Sequence, residues 1–502
     1  MSQTAAAPSK TATLKQFIGG KWVDGTGKGE IKDLNPANTD DVLAVGRAGS
    51  LEDAQKALAA AEKAFPAWKR TPAPARARYL DKLVKLARDR KEELARLMTR
   101  EEGKIISEAR GEMEKGINLL EWFAGEGLRF MGISAPSELP SNFLYTLREP
   151  LGVVSVITPW NFPWAIPCWK MAPALVAGNT IVFKPASLTP WLAVRFAELI
   201  QEAGLPDGVL NLVIGSGSQV GDPLVKDPRV KAVSFTGSNS IGQSVHSACG
   251  VRGAKVTCEM GGKNPCVVMD DADLDLALGG VMRGAFGSTG QRCTATSRLI
   301  LQHGIADKFV GLVVEAAKKI KVGDGLDESI GMGPAVDEGQ LKTDLDYIEQ
   351  AQKSGAKLLT GGRRLTEGVL AKGFFVEPTV FDGVKRADTL YQEEVFGPVL
   401  AVHRVKDYEE AVAAANDCPF GLTSAIYTRD MTSCMRFVDD IEAGMVHINS
   451  PTIGGEAQVP FGGRKGSGVG EREMAKEGVY FFSEPKTVFV DYTGAVRKAN
   501  IY

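Results

Sequence analysis

Cys293 lies in "GQRCTATSR" (290–298), beside a glycine, the basic Arg292 and small polar residues. A cysteine thiolate is a capable nucleophile, provided its surroundings favour ionisation. Most free cysteines instead behave as small buried hydrophobes. The four histidines, His246, His303, His403 and His447, sit in no motif that suggests a Cys–His pair, so a carboxylate is the more economical base. One candidate is Glu259 in "CEMGGKNP" (258–265), at a strand end, where Gly261 and Gly262 permit close approach of backbone or ligand. A plain surface glutamate is the bland alternative. Lys184 in "VFKPASLTP" (182–190) ends another strand, at the edge where open α/β sheets bind ligands; a solvated lysine is the commoner case. In "KAVSFTGSNSIGQSVHSA" (231–248), Gly237 and Gly242 flank a strand-to-helix turn whose N–H groups can face a phosphate. No lysine follows Gly242, which excludes an ATP-binding P-loop, and an ordinary β–α turn remains open. The acidic run "DDADLDLAL" (270–278) has Leu276 where an EF-hand needs glycine, so it reads as helix-starting acids with no metal.

The elements that must position these residues form a long alternation. "FIGGKWVDGTGKGEIKDLNPA" (17–37) reads as short strands joined by glycine-rich turns. Ser50 and Asp53 form a capping box before a helix, and amphipathic helices continue to about residue 130. Residues 132–150 are extended and proline-rich. Strands at 152–157, 180–184, 209–215 and 231–235 then alternate with helical stretches, the order of a parallel sheet covered on both faces. A second alternating region runs from about 262 to 480, with strands such as "RLILQ", "VLAVH" and "MVHIN". "PKTVFVDY" (485–492) is a further strand with no obvious partner in this pattern.

At 502 residues the chain is too long for one compact domain. Lys and Arg number 59 against 61 Asp and Glu, a formal charge of −2, which provides no electrostatic footprint for nucleic acid or an anionic membrane surface. No apolar run approaches the ~20 residues of a membrane span, and the first residues lack a signal-peptide core. Seven cysteines without CxxC spacing fit reduced thiols and a cytoplasmic location.

Taken together, "PWNFPW" (159–164), "FKPAS" (183–187), "FTGS" (235–238), "EMGGKNP" (259–265), "GQRCTATSR" (290–298), "EEVFGP" (393–398) and "PFGGRKGSG" (460–468) resemble the aldehyde dehydrogenase superfamily in order and separation. The resemblance implies an α/β fold with a Rossmann-like cofactor domain (1–131 and 151–261), a catalytic domain (262–480) and a bridging segment (132–150 and 481–502) that serves a homo-oligomer, dimer or tetramer. It makes Cys293 the nucleophile, Glu259 the general base and Asn161 a donor to the oxyanion. It places Trp160, Lys184, Ser187, Gly237, Ser238, Glu394 and Phe396 at an NAD or NADP site. Trp122, Trp164 and Trp169 become walls of the aldehyde tunnel, with Arg292 as an anchor for an acidic substrate or a thiol activator. Many NAD-preferring members carry an acid at the position of Ser187; a serine does not repel a 2′-phosphate. Among subfamilies, residues 150–186 and 284–298 most resemble α-ketoglutaric semialdehyde (2,5-dioxopentanoate) dehydrogenases. Dehydrogenases of succinic semialdehyde, glyceraldehyde or aliphatic aldehydes, CoA-acylating relatives and a non-catalytic dinucleotide-binding protein are the competing readings.

Overall fold

The computed structural model describes residues 11–496. The expected end of the bridging segment, 497–502, and the first ten residues lie outside the described residues.

Two large sheets form the body. The first has eight strands in the order Gly468–Val469, Lys255–Glu259, Val230–Thr236, Val153–Ile157, Thr180–Lys184, Leu210–Leu212, Gln16–Ile18 and Lys21–Val23. Its five middle strands run parallel. Val153–Ile157, Thr180–Lys184 and Leu210–Leu212 are buried along their whole length, so their apolar runs show no alternation. The strand order reverses at Val153–Ile157: the next two strands in sequence go to one side, the following two to the other. Such a reversal leaves a crevice at the carboxyl ends of the strands.

The second sheet has seven strands, with Asn264–Val268 and Thr296–Gln302 near its centre and one antiparallel edge strand, Lys357–Thr360. A third sheet pairs Asn142–Pro150 with Ser483–Asp491 over nine residues, and Ser134–Ala135 with Asn142–Pro150. The tail strand therefore has its partner within the same chain. Two features depart from the sequence reading. Gly468–Val469, from the second half, adds antiparallel to the edge of the first sheet beside Lys255–Glu259. A separate small sheet of Ala12–Thr13, Asn38–Arg47 and Glu30–Asn35 lies outside the large ones.

Local signals explain the helices that matter for the site. Ser50 Oγ accepts from the N–H of Glu52 and Asp53, and Asp53 accepts from Ser50 N–H, closing the capping box of Leu51–Arg70. Asp273 caps Leu274–Phe286 by accepting from Leu276 N–H at 3.1 Å, so the acidic run does start a helix. Ala165–Ala177 has all thirteen residues buried, and its N-terminus has no cap of its own. Glu112, from the helix Ile106–Glu126, supplies one by accepting from the N–H groups of Trp164 and Ala165 at 2.9 and 3.1 Å.

Candidate active site

Cys293 follows a strained turn. Ser288 and Thr289 have φ of 49° and 58°, a conformation that costs of order 1–3 kcal/mol per residue unless the surroundings enforce it. The surroundings do so. Glu108 accepts from Ser288 N–H at 2.8 Å, Arg292 bonds both Glu108 (2.9 Å) and Ser288 Oγ (2.8 Å), and Thr289 Oγ1 donates to Gly333 O. From the strand paired with Thr296–Gln302 in the same sheet, Asn264 Nδ2 donates to Cys293 O and Ala295 O, each at 2.8 Å. The double glycine is now explained: a Cβ on Gly261 would overlap the Glu394 carboxylate, and one on Gly262 would sit 2.7 Å from Cys293 O.

Two cavities meet at the thiol, and Cys293 and Ile166 line both. The first, about 290 Å³, lies in the crevice where the strand order reverses. Trp160 and Asn161 reach it from the end of one strand, Gly237 and Ser238 from the end of its neighbour, and Glu394 and Phe396 from the opposite side. Trp160 and Phe396 meet edge to face at 5.4 Å, with Phe396 at φ 64°. Glu394 accepts from Gly262 N–H at 2.8 Å, and burial pushes its carboxyl up to about 7. Ser238 precedes the helix Asn239–Val251 without a side-chain bond to its N–H groups, leaving these free for an anion. Lys184 is buried with Nζ on Pro185 O at 3.1 Å, its pKa drawn down to about 8 by burial. Ser187 is exposed, its hydroxyl 3.3 Å from Gly215 O. The open helix N-terminus and glycine-lined crevice suit a dinucleotide phosphate, and Glu394 suits a ribose.

The second cavity, about 240 Å³, is walled by Phe162, Trp169, Ile453, Phe461 and Lys115, with Cys293 at its inner end. It opens outward past Gly111, Lys115 and Gly455 into a vestibule lined by Trp122 and Arg129. Trp169 lines this cavity and Trp122 its vestibule. Trp164 lines neither: it is fully buried, packed on Phe196 at 5.0 Å and against the bare backbone of Gly116, and belongs to the core. Its neighbour Phe162 supplies the wall instead. Arg292 lines the cavity, but its charge is matched by Glu108 and it braces the turn.

Asn161 is buried beside the thiol, Nδ2 donating to Gln291 O at 3.0 Å, while Lys104 Nζ holds its backbone carbonyl at 2.7 Å. Lys104 is in turn paired with Glu112 at 2.6 Å. The Cys293 thiol is pushed up to about 12, first by burial and then by the Glu394 and Glu259 carboxylates; Lys115 and the Thr294 N–H act the other way. Glu259 is buried, and its carboxylate rests on Gly463 N–H at 3.3 Å, behind both cavities and lining neither. Burial and the charge of Glu473 raise its pKa. Glu473 is held by Lys170, by Ser234 Oγ at 2.9 Å and by Trp169 Nε1 at 2.8 Å. Sequence reasoning missed Lys104, in the turn between the helices Lys91–Glu102 and Ile106–Glu126, and Glu108, Glu112 and Lys115 on the second of these, none of them in a motif. Helical spacing was the one signal: residues 108, 112 and 115 fall on one face of Ile106–Glu126.

The aldehyde dehydrogenase family model matches residues 22–488, and the chain belongs to that family. Among curated relatives, it is 46% identical to the α-ketoglutaric semialdehyde dehydrogenase of Bacillus subtilis, over 95% of this chain and 98% of the relative. It is 44% identical to the 2,5-dioxopentanoate dehydrogenase of Saccharolobus solfataricus, over 94% and 98%. Betaine aldehyde dehydrogenase of Staphylococcus aureus, solved with NAD+, superposes with a TM-score of 0.94 at 34% identity, covering 97% of this chain and 96% of that one. Among the described residues, no helix is long and apolar enough to cross a membrane.

Proposed function

We propose that the chain oxidises a short semialdehyde bearing a distal carboxylate, such as α-ketoglutaric semialdehyde, to the corresponding acid, with NAD or NADP as hydride acceptor. One observation carries this reading: a single thiol lines both the crevice at the carboxyl ends of the parallel strands and a separate narrow cavity. The relatives' names supply the substrate class.

Cys293, as thiolate, adds to the aldehyde carbon from the narrow cavity. The oxygen that gains charge faces Asn161 Nδ2 and the Cys293 N–H, an arrangement often worth about 3–4 kcal/mol per donor. Lys104 and Glu112 fix the Asn161 backbone for that task. A nicotinamide held in the crevice supplies the acceptor for the hydride that leaves the carbon, so that a Cys293 thioester remains. Glu259 swings from Gly463 towards the thioester and takes a proton from the attacking water, and burial, which raises its pKa, makes its carboxylate a stronger base. Acid product and free thiol result.

Of the described residues, 11–131 and 151–261 form the dinucleotide-binding domain in this reading, and residues 262–480 the catalytic domain, less the strand Gly468–Val469. The strands of 132–150 and 481–496 form an oligomerisation segment; exposed Phe143, Leu147, Phe489 and Val490 on its sheet support a homo-oligomer. Seven free thiols support a cytoplasmic setting. The test follows reduced-nicotinamide absorbance with a panel of aldehydes, with and without CoA. Turnover of acid semialdehydes without CoA is expected; strict CoA dependence or no turnover would refute the reading.

A further inference from the structure

The substrate cavity and its vestibule share three residues: Gly111, Lys115 and Gly455. These form the throat where the vestibule adjoins the cavity that ends at Cys293. Two of them have no side chain. A Cβ on Gly455 would stand 3.7 Å from Lys115 Nζ, so its absence opens the space in front of the ammonium; a Cβ on Gly111 would meet nothing within 4 Å.

Among the described residues every cation around this throat is matched except one, while Glu456, next to Gly455 in the vestibule, has no ion pair and accepts only from Gln458 Nε2. Glu108 pairs with Arg292, Glu112 with Lys104, Glu114 with Lys91, Glu121 with Arg88 and Glu126 with Arg129. Lys115 has no hydrogen bond or ion pair among the described residues; its Nζ lies 5.2 Å from the centre of the Trp169 ring. It is half-buried, with its ammonium facing the cavity that ends at Cys293. Burial draws its pKa down, and an anion seated beside it would offset that desolvation.

We propose that the Lys115 ammonium is the anchor for the distal carboxylate of the substrate and sets the preference for acid semialdehydes over neutral aldehydes. The carboxylate rests in the throat, against the ammonium and the bare backbone of Gly455. The carbonyl carbon then extends along Phe162 and Trp169 to the thiol. Arg292, the anchor the sequence offered, has its charge taken by Glu108. This inference rests on the acid-semialdehyde reading above and names the side chain that enforces it.

The test compares wild type, Lys115→Met and Lys115→Arg, using succinic and α-ketoglutaric semialdehyde against neutral aldehydes of equal chain length. In Lys115→Met the ratio of kcat/KM, acid over neutral, is expected to fall about 10- to 100-fold through KM, the scale of one lost charged hydrogen bond. Inhibition by glutarate should weaken in parallel, and Lys115→Arg should keep the preference. A wild type without any preference for the acid substrates would overturn the substrate reading, and this one with it. A wild-type preference that survives Lys115→Met overturns the anchor alone. An equal loss on acid and neutral substrates, with a raised pH midpoint for Cys293 alkylation, would show that Lys115 serves the thiol, and likewise overturns the anchor.

Discussion

The two cavities that meet at Cys293 are built by different means. On the crevice side the walls are loops that leave consecutive strand ends: Trp160 and Asn161 after one, Gly237 and Ser238 after the next. On the other side the walls are side chains of the helices Ile106–Glu126 and Ala165–Ala177 and of the segment 453–461. A loop at a strand end binds with its backbone, so it needs particular residues in a fixed local order. A helix face binds with whatever projects from it, and many residues keep the helix intact. The first kind of wall can serve a constant ligand, the second a variable one.

The largest expected effect lies at the boundary itself. Cys293→Ala should lower turnover by at least about four orders of magnitude, as loss of a nucleophile does elsewhere, while NAD still binds by calorimetry because the crevice walls are intact. Near-normal turnover in that variant would remove the thiol from the chemistry and with it the meaning of the two-cavity arrangement.

Glu259 comes next. Its carboxylate rests on Gly463 N–H, so it has to move to meet water at the thioester. Glu259→Gln should cut steady-state turnover by about 10²–10⁴-fold. A burst of reduced nicotinamide near one per site should persist, with acylated Cys293 visible by mass spectrometry. Loss of the burst as well would assign Glu259 to deprotonating the thiol.

That contrast explains what could be read from sequence. The crevice was legible because its residues cluster in short motifs: "PWNFPW", "FTGS", "EMGGKNP" and "EEVFGP" each mark a strand end, a glycine-lined turn or a loop on the crevice wall. The sheet order followed from buried apolar runs such as Thr180–Lys184. The substrate side was not legible in the same way. Trp164 and Trp169 are five residues apart, yet one is buried on Phe196 and the other lines the cavity, a difference set by tertiary packing alone. Arg292 looked free in sequence because its partner, Glu108, lies 184 residues away. Lys115 had no motif at all. The strand Gly468–Val469 was too short to show a period and crosses to the other sheet by pairing with Lys255–Glu259.

The thiol's environment gives a pH dependence. Burial and two carboxylates hold Cys293 at about 12 in the ligand-free protein, so the reactive thiolate is the minor form throughout the neutral range and grows as pH rises. Iodoacetamide alkylation should accelerate about tenfold per pH unit, near a hundredfold between pH 7 and 9. A plateau below pH 8 would mean that Lys115 and the Thr294 N–H outweigh the carboxylates.

On the crevice side a single charge should change the choice of dinucleotide. Ser187 is exposed and neutral, its hydroxyl on Gly215 O, and wild type is expected to use NADP as well as NAD. Ser187→Glu adds a carboxylate near the position of a 2′-phosphate. Screening by solvent limits the effect to about tenfold in the NADP-to-NAD ratio of kcat/KM. No NADP turnover in wild type would mean that shape, not charge, selects the cofactor there.

The smallest expected effect separates two cations that line the same cavity. Arg292 and Lys115 both face it, but only Arg292 has its charge matched, by Glu108, and only Arg292 holds Ser288 in its left-handed turn. Neutralising it together with its partner, in the double variant Glu108→Gln/Arg292→Gln, should loosen the backbone that presents Cys293 without changing the net charge a carboxylate meets. Arg292→Gln can still bond Ser288 Oγ, so part of the brace survives. Turnover should fall by about 3- to 10-fold, the scale of one partly replaced hydrogen bond, and by the same factor for acid and neutral aldehydes. The ratio that collapses in Lys115→Met should therefore stay put in the Glu108→Gln/Arg292→Gln double variant. A selective loss of acid semialdehydes in that charge-balanced double variant would place the carboxylate at Arg292, against the turn itself, and the division between a brace and an anchor would be lost.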